Sequence, residues 1–342
     1  MSASSNSGYP DNPVLVRVWR GEHVESIHRG AWCLVDTAGK VLAGAGSPEV
    51  PFFVRSSIKP IQALPLLETG AAERFGFSDE ELALAVASHS GEACHTEGVA
   101  ALLGRLGLSE SALRCGAHEP TDPLARAELR RLGAQPSALH NNCSGKHAGF
   151  LALALHLGVP LEDYLDPEGE CQKRVRAALY DLTGAAPGSL EPAIDGCSAP
   201  TYRIGLGALA TGFARVTTPS GLGPDRARHF ARLMEAVARN PVLLAGSRGR
   251  LDTDLVRASG GRILAKIGAE AVYVVGVRGE DRALAVKIDD GGTRGLYPLV
   301  VALLERFELL RPSELRAVAS WREEILRNHA GRVVGRVDPV LP

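Results

Sequence analysis

Ser56 and Lys59 lie three residues apart at the start of a predicted helix, a spacing that places two side chains on one face. A serine hydroxyl is a poor nucleophile at neutral pH unless a nearby base removes its proton. A lysine amine becomes such a base once burial or nearby positive charge lowers its pKa. The pair is typical of a hydrolase that forms an acyl-enzyme, although this spacing also arises by chance.

Lysine is rare in this chain, because thirty-two of its thirty-eight basic residues are arginine and only six are lysine. Arginine serves wherever a solvated positive charge suffices, but its guanidinium does not release a proton, whereas a lysine amine can act as a base or a ligand. We therefore expect several of the lysines to do chemistry. Lys266 lies between apolar residues of a predicted strand, where a buried amine would need a partner.

Two further polar blocks interrupt apolar helical patterns. Residues 87–92 (ASHSGE) follow an apolar helix with two serines, a histidine and a carboxylate, and they fit a helix cap as well as a functional site. Residues 140–147 (HNNCSGKH) open another apolar helix. A helix cap explains Asn142 and Ser144 in this block, but it does not explain why Cys143 and Lys146 stand three residues apart.

A fourth block, residues 195–202 (DGCSAPTY), combines a carboxylate, a thiol and hydroxyls in a tight turn predicted to precede a helix. Cys143 and Cys197 could meet, with a nitrogen donor, around a soft or borderline metal such as zinc. Because the chain has no paired Cys-x-x-Cys, the spacing alone is a weak metal signal. Taken without context, each of the six cysteines is best interpreted as a small, buried, reduced side chain.

The elements that must position these residues follow from periodicity. Apolar and polar residues alternate over 14–35, which predicts a hairpin turning near Gly21, and β-branched runs at 271–277 and 283–288 predict a second hairpin in the same antiparallel sheet. Between the hairpins, helical patterns cover 58–68, 79–87, 96–106, 123–132, 146–157, 167–183, 202–214 and 224–239.

This order predicts an α+β fold, with an antiparallel sheet built from both chain ends and a helical middle lobe. We expect a disordered tail at 1–12, one catalytic domain of two lobes at 13–330 and a C-terminal tail at 331–342. Binding sites favour the cleft between two such lobes.

Composition excludes several classes of function. With 45% hydrophobic and 23% charged residues the chain is predicted to be soluble and globular, and its net charge of −1 does not favour nucleic acid or an anionic membrane. No apolar run approaches the roughly 20 residues needed to cross a bilayer, and residues 1–12 lack the pattern of a secretory signal. We therefore expect a cytoplasmic protein whose partner is a small molecule or another subunit.

Taken together, the polar blocks resemble the asparaginase II family of the zinc-binding, rhizobial type. The resemblance runs through most of the chain and rests on five blocks in the family's order: 55–60, 87–92, 140–147, 195–200 and 266–268. It implies a fold like that of serine β-lactamases and penicillin-binding proteins, and it implies a homodimer.

The resemblance also implies two Ser-Lys pairs, Ser56 with Lys59 and Ser88 with Lys266. It further implies a zinc ion held by Cys143, Lys146 and Cys197. All seven residues are present in this sequence.

Our sequence-based hypothesis is that Ser56 attacks the side-chain carboxamide of L-asparagine with Lys59 as its base, while Ser88 and Lys266 relay a proton to the departing ammonia. The reverse assignment of the two serines stays open. Recognition of the α-amino and α-carboxylate groups needs opposite charges, for which the nearest candidates are Arg55, His147 and Asp195.

Two other functions remain compatible with these residues. One is a Ser-Lys hydrolase of another amide, such as a peptide or a β-lactam, although a cytoplasmic location argues against cell-wall substrates. The other is a non-catalytic protein that binds an amino acid in the same pocket.

Overall fold

The computed structural model describes residues 10–341. Its strands are β1 (Val14–Arg20), β2 (His23–Val35), β3 (Val41–Ala45), β4 (Phe52–Phe53), β5 (Glu191–Ile194), β6 (Pro200–Ile204), β7 (Ile263–Gly268), β8 (Val272–Val277), β9 (Ala283–Ile288), β10 (Glu324–Arg327) and β11 (Val333–Pro339).

Eight of the described strands form one large sheet, in the order β10-β11-β1-β2-β9-β8-β7, with β3 also paired to β2. Every pairing in this sheet is antiparallel. The long strand β2 joins the two predicted hairpins, because its first half pairs with β1 and its second half pairs with β9. This confirms that both chain ends build one sheet.

Both faces of the central strands are buried. Along β2, Ala31, Cys33 and Val35 belong to one hydrophobic cluster, whereas Trp32 and Leu34 belong to another on the opposite face. Since successive strand residues point to opposite faces, burial on both sides explains why these strands are apolar throughout rather than alternating.

The helices of the described chain fall mostly between the two hairpins, which confirms the predicted α+β fold with a helical middle region. They are α1 (Lys59–Gln62), α2 (Leu64–Glu68), α3 (Ala71–Arg74), α4 (Asp79–Ala85), α5 (Ala93–Arg105), α6 (Pro123–Arg131), α7 (Ser144–Leu157), α8 (Glu170–Thr183), α9 (Leu206–Thr217), α10 (Pro224–Arg239), α11 (Pro241–Leu244), α12 (Leu251–Ala258), α13 (Leu296–Arg306), α14 (Pro312–Ala317) and α15 (Ala319–Arg322). Within residues 10–341, no helix is both long and apolar enough to span a membrane.

Two predicted helices are corrected by the structure. The predicted helix 58–68 is instead two short helices, α1 and α2, which follow a 3-10 turn at Arg55–Ile58. Pro60 and Pro65 lie in the first turns of these two helices. Proline lacks an amide hydrogen, so it favours a helix start over a helix interior. The segment predicted as a helix from residue 202 is instead strand β6 up to Ile204, because pairing with β4 and β5 overrides its local pattern.

The predicted boundaries at the chain ends also change. The expected C-terminal tail at 331–342 contains β11, which pairs with both β1 and β10, so a boundary at 330 would cut the sheet. Of the expected disordered tail at 1–12, residues 1–9 lie outside the described residues. Asn12 is buried, and its amide donates to Asp289.

Helix α7 passes through the centre of the helical lobe, and its residues from Ser144 to Ala154 are buried. It approaches α4 closely at Gly145, where an added Cβ would lie 2.2 Å from the backbone oxygen of Leu84. Only a residue without a side chain fits that contact.

Gly145→Ala should therefore lower the free energy of unfolding by about 1–3 kcal/mol, because backbone must move to relieve the overlap. The matched control is Gly104→Ala in α5, where an added Cβ meets nothing within 4 Å. That control should be neutral or stabilising by up to about 1 kcal/mol. Urea unfolding of both variants measures the difference, and equal stability would contradict the close packing.

Candidate active site

The hydroxyl of Ser88 lies between two buried lysine amines. The Nζ of Lys266 is 2.7 Å from Ser88 Oγ, and the Nζ of Lys59 is 3.0 Å from the same atom. Lys59 also donates to the backbone oxygens of Ala87 and Asn142, and Lys266 donates to the backbone oxygen of Ile267. Three segments distant in sequence thus meet at one hydroxyl.

The local structure of each segment explains this meeting. Lys59 is the first residue of α1, immediately after the 3-10 turn that carries Ser56. Lys266 follows the alternation of β7, which places it on the same sheet face as Leu264, a member of the cluster that the helical lobe covers. Ser88 lies in the loop after α4, where its amide donates to Leu244.

Burial governs the protonation of both amines. The exposed fractions of Lys59 and Lys266 are 0% and 1%. Burial lowers the pKa of Lys266 well below its usual range, and the positive charge of Lys59 lowers it further. Burial also lowers the pKa of Lys59, although the thiolate form of Cys143 opposes this. A neutral amine can accept the hydroxyl proton of Ser88, so the arrangement supplies a base.

A cavity of about 190 Å³ opens onto this group. Both Ser56 and Ser88 line it, together with Asn142 and Thr121. Among the hydrogen bonds of the described residues, none joins Ser56 to Lys59, and the amine of Lys59 contacts Ser88 instead. The predicted Ser88–Lys266 contact is therefore present, whereas the predicted Ser56–Lys59 contact is not made in this structure.

Arg55 and Asp195, both predicted to bind substrate, form an ion pair. The guanidinium of Arg55 donates two hydrogen bonds of 2.9 and 3.0 Å to the carboxylate of Asp195. Burial alone would raise the pKa of Asp195, but Arg55 outweighs it and the pKa is lowered. The backbone of Arg55 is left-handed, with a φ of 50°, so the ion pair holds a strained turn next to Ser56. Substrate binding by this pair stays a prediction.

Cys143, Lys146 and Cys197, the predicted zinc ligands, also come together. Cys143 and Lys146 lie at the start of α7, and Cys197 lies in the turn between β5 and β6 rather than before a helix. The Nζ of Lys146 is 3.1 Å from the Sγ of Cys197, and the Sγ of Cys143 donates to the side-chain oxygen of Asn142 at 3.1 Å. All three residues are buried.

The electrostatics of this group favour a thiolate. The neighbouring Cys197 thiol lowers the pKa of Cys143, and together with the positive charges of Lys59 and Lys146 it outweighs the opposing effect of burial. Two sulfurs and one amine in contact suit a tetrahedral zinc ion with one further position. Across residues 10–341, no cluster of three or more His, Cys, Asp and Glu side chains could hold a metal ion, so any ion here would need the lysine as third donor.

His147 is completely buried, and its Nδ1 is 2.7 Å from the hydroxyl of Tyr164. Its Nε2 is buried without a hydrogen-bond partner in the described structure. Burial lowers its pKa well below the usual range, which favours the neutral ring. His147 does not line the cavity that contains the two serines, and its predicted contact with substrate stays a prediction.

Sequence reasoning missed four residues that line the cavity: Thr121, Arg250, Glu270 and Thr293. Glu270 was detectable in principle, since it follows the end of β7 by two residues and thus stands near the end of the strand that carries Lys266. Arg250 precedes α12 in a loop rich in glycine, serine and arginine, where no pattern separates it from other exposed arginines.

Replacing Lys266 by Met should change how stability depends on pH. The folded-state pKa of Lys266 is lowered, so the unfolded chain binds more protons, and stability rises with pH from that lowered value up to about 10.4. Lys266→Met should show a smaller rise between pH 7 and pH 9.5 in urea unfolding. Lys173→Met, on α8, is the control and should keep the wild-type slope. An unchanged slope in Lys266→Met would contradict the lowered pKa.

Comparison with known proteins places the chain in a family. A family model described as L-asparaginase II matches residues 16–339, nearly the whole chain. No curated protein matches the sequence with significance.

Similar solved structures include Mglu in its native form, at 16% identity and a TM-score of 0.44, covering 82% of this chain and 65% of Mglu. They also include a β-lactamase from Mycobacterium bovis, at 16% identity and a TM-score of 0.41, covering 81% of this chain and 94% of that protein. The match thus spans less than two thirds of the length of Mglu, and we draw no inference about activity from either similarity. The family match over residues 16–339 does identify the chain, which belongs to the L-asparaginase II family.

Proposed function

We propose that this protein is an amidohydrolase that converts L-asparagine to L-aspartate and ammonia through an acyl-enzyme. The observation that carries the proposal is the Lys59–Ser88–Lys266 group, with hydrogen bonds of 3.0 and 2.7 Å, beside a cavity that also contains Ser56. Membership of the L-asparaginase II family supports the choice of substrate.

In the proposed first step, the Oγ of Ser56 attacks the side-chain carboxamide carbon of the substrate. We assign the attack to Ser56 because Ser88, whose hydroxyl contacts both lysines, is already placed to pass protons between them, while Ser56 lines the same cavity. Lys59 accepts the proton of Ser56 after a rotation of the serine side chain. Catalytic contacts are often long in a structure without substrate and tighten in the complex.

The second step breaks the bond between carbon and nitrogen. Ser88 passes its proton to the departing nitrogen and regains one from Lys59 or Lys266, so ammonia leaves and an aspartyl ester of Ser56 remains. Water then adds to the ester carbonyl, the bond to Ser56 breaks, and L-aspartate is released. A relay of this kind typically accelerates a reaction by about 10²–10⁴-fold.

Zinc is part of the proposal as a cofactor, with Cys143, Lys146 and Cys197 as the residues that would hold it. When bound, zinc supplies a positive charge that can orient or polarise a substrate oxygen. Without zinc, the thiolate of Cys143, which its lowered pKa favours, and the ammonium group of Lys146 stabilise each other as buried opposite charges. The homodimer and the cytoplasmic location remain predictions from the sequence.

Single alanine variants test the assignment of the two serines. Ser56→Ala should lower kcat/KM for L-asparagine by about 10³-fold or more and abolish the acyl-enzyme, whereas Ser88→Ala should slow its formation but still be acylated on Ser56. Mass spectrometry after acid quenching locates the aspartyl group.

Ser57→Ala is the matched control, because Ser57 is the neighbouring serine and its hydroxyl is bound to the backbone of Val54. It should be acylated like the wild type. Equal acylation of Ser56→Ala and Ser88→Ala would contradict the assignment. Ammonia release from L-asparagine and L-glutamine, measured beside hydrolysis of a β-lactam, separates this activity from that of another Ser-Lys hydrolase.

Zinc content measured by mass spectrometry tests the proposed cofactor independently of activity. Cys143→Ser and Cys197→Ser should each lose most of their zinc, because two thiolates and one amine leave no spare donor. Cys115→Ser is the control: burial raises the pKa of Cys115 to about 12, so it remains a thiol, and it should retain zinc. Wild-type protein without zinc, or zinc retained in Cys143→Ser, would contradict the proposal.

A further inference from the structure

The catalytic cavity carries two opposite charges that the proposed reaction does not use. Arg250 and Glu270 line it together with Ser56 and Ser88. One is a basic and the other an acidic side chain, and neither belongs to the Ser-Lys group or to the predicted zinc ligands. Their presence beside the reacting serines calls for a function.

Arg250 has hydrogen-bond donors to spare. Its NH1 group donates to Ser90 Oγ and to the backbone oxygen of Ala245, which fixes the side chain in place. Its NH2 group lies 3.9 Å from the carboxylate of Asp252, beyond hydrogen-bond distance. The N–H groups on Nε and NH2 thus donate no hydrogen bond to any of residues 10–341. The side chain of Arg250 is 15% exposed, so its positive charge is fixed in position and still partly accessible.

Glu270 is the complementary anion. It is exposed, and in the described structure its carboxylate makes no hydrogen bond or ion pair. The turn that carries it is strained, because Glu270 and Ala271 have φ values of 62° and 53°, in the left-handed region that disfavours side chains with a Cβ. The amine of Lys287 donates to the backbone oxygen of Glu270 and holds this turn.

The two charges reach this cavity from different elements. Arg250 immediately precedes α12 and is held by Ser90 and the backbone of Ala245. Glu270 follows β7, the strand that carries Lys266. Both line the cavity that contains the two serines.

We propose that Arg250 binds the α-carboxylate and Glu270 binds the α-ammonium of a free amino-acid substrate. The inference deepens the proposed asparaginase activity and rests on it for the identity of the substrate. A zwitterion presents one group of each sign, and a guanidinium fork matches the two oxygens of a carboxylate. A peptide or a protein side-chain amide lacks this pair of charges, so the two residues select a free amino acid.

This assignment differs from the candidates predicted from sequence, which were Arg55, His147 and Asp195. Arg55 and Asp195 neutralise each other through two hydrogen bonds, so binding substrate would break both contacts. Arg250 has only a long ion pair, at 3.9 Å, with Asp252, and Glu270 has no ion-pair partner in the described structure. Both line the cavity.

Three ligands distinguish the two contacts by isothermal titration calorimetry on the intact protein. L-Aspartate, the proposed product, has both α groups, succinate lacks the α-ammonium, and β-alanine lacks the α-carboxylate. Binding of a product does not depend on turnover, so these measurements stand apart from the assay of ammonia release.

Glu270→Gln should weaken L-aspartate binding by about tenfold or more and leave succinate binding unchanged. Arg250→Met should weaken both L-aspartate and succinate by a similar factor and leave β-alanine unchanged. Arg250→Lys should recover part of the affinity for L-aspartate, since it keeps the charge but not the fork.

Matched controls exclude general effects of charge. Glu308→Gln replaces another exposed glutamate with a left-handed backbone, at a φ of 53° and outside the cavity. Arg257→Met replaces an arginine on α12 whose side chain is 54% exposed. Both controls should bind all three ligands like the wild type. Thermal unfolding checks that each variant folds, and Glu270→Gln tests the proposal even if Arg250→Met does not fold.

Equal loss of all three ligands in Glu270→Gln, or unchanged binding of L-aspartate, would overturn the proposal. Ammonia release from L-asparagine by the wild type tests the proposed asparaginase activity separately from the assignment of Arg250 and Glu270. Release with unchanged ligand binding in the variants would leave the activity standing and refute the assignment. Selective loss in the variants without release by the wild type would support the charge pair and refute the asparaginase activity.

Discussion

The burial of two amines around one hydroxyl is the constraint on which this site depends. An unpaired charge is costly inside a protein, so each buried lysine must be neutral or be held by acceptors. Lys59 satisfies this requirement with Ser88 and two backbone oxygens, and Lys266 does so with Ser88 and one backbone oxygen. The amines are exposed by 0% and 1%, so the surrounding sheet and helices must exclude water while keeping Ser88 accessible from the cavity.

The charge states of the residues around this group differ with their depth below the protein surface. The deepest positions favour neutral lysines, and the neighbouring thiols stabilise a positive charge on Lys146. Nearer the surface, Arg55 and Asp195 neutralise each other and hold the strained turn beside Ser56. Arg250, in a long ion pair of 3.9 Å with the buried Asp252, and Glu270, which has no ion-pair partner in the described structure, lie at the cavity itself. Proton transfer and substrate recognition are thus assigned to separate residues.

Strong periodicity in the sequence predicted the main sheet and the helical middle, and the rarity of lysine drew attention to Lys59 and Lys266. The contact of Ser88 with Lys266 was implied only by the family resemblance. It did not predict β11, whose exposed and glycine-containing pattern buries only Val337 in the core. Nor did it predict that Lys59 would contact Ser88 rather than Ser56, since that choice depends on how α1 and the loop after α4 pack. Arg250 was missed because it lies in a polar loop with another arginine, and Glu270 because it is a single charge between two alanines; only the shared cavity singles them out.

The pairing of β1 with β11 has a consequence for biosynthesis. Strand β2 pairs with β9, and β1 pairs with β11, so β1 and β2 leave the ribosome about 250 to 320 residues before these partners. Contacts between segments so distant in sequence slow folding and leave strand edges exposed meanwhile. Lys59, Ser88 and the two thiols all precede Lys266 along the chain. The Ser-Lys group is therefore completed only when β7 emerges and joins the sheet.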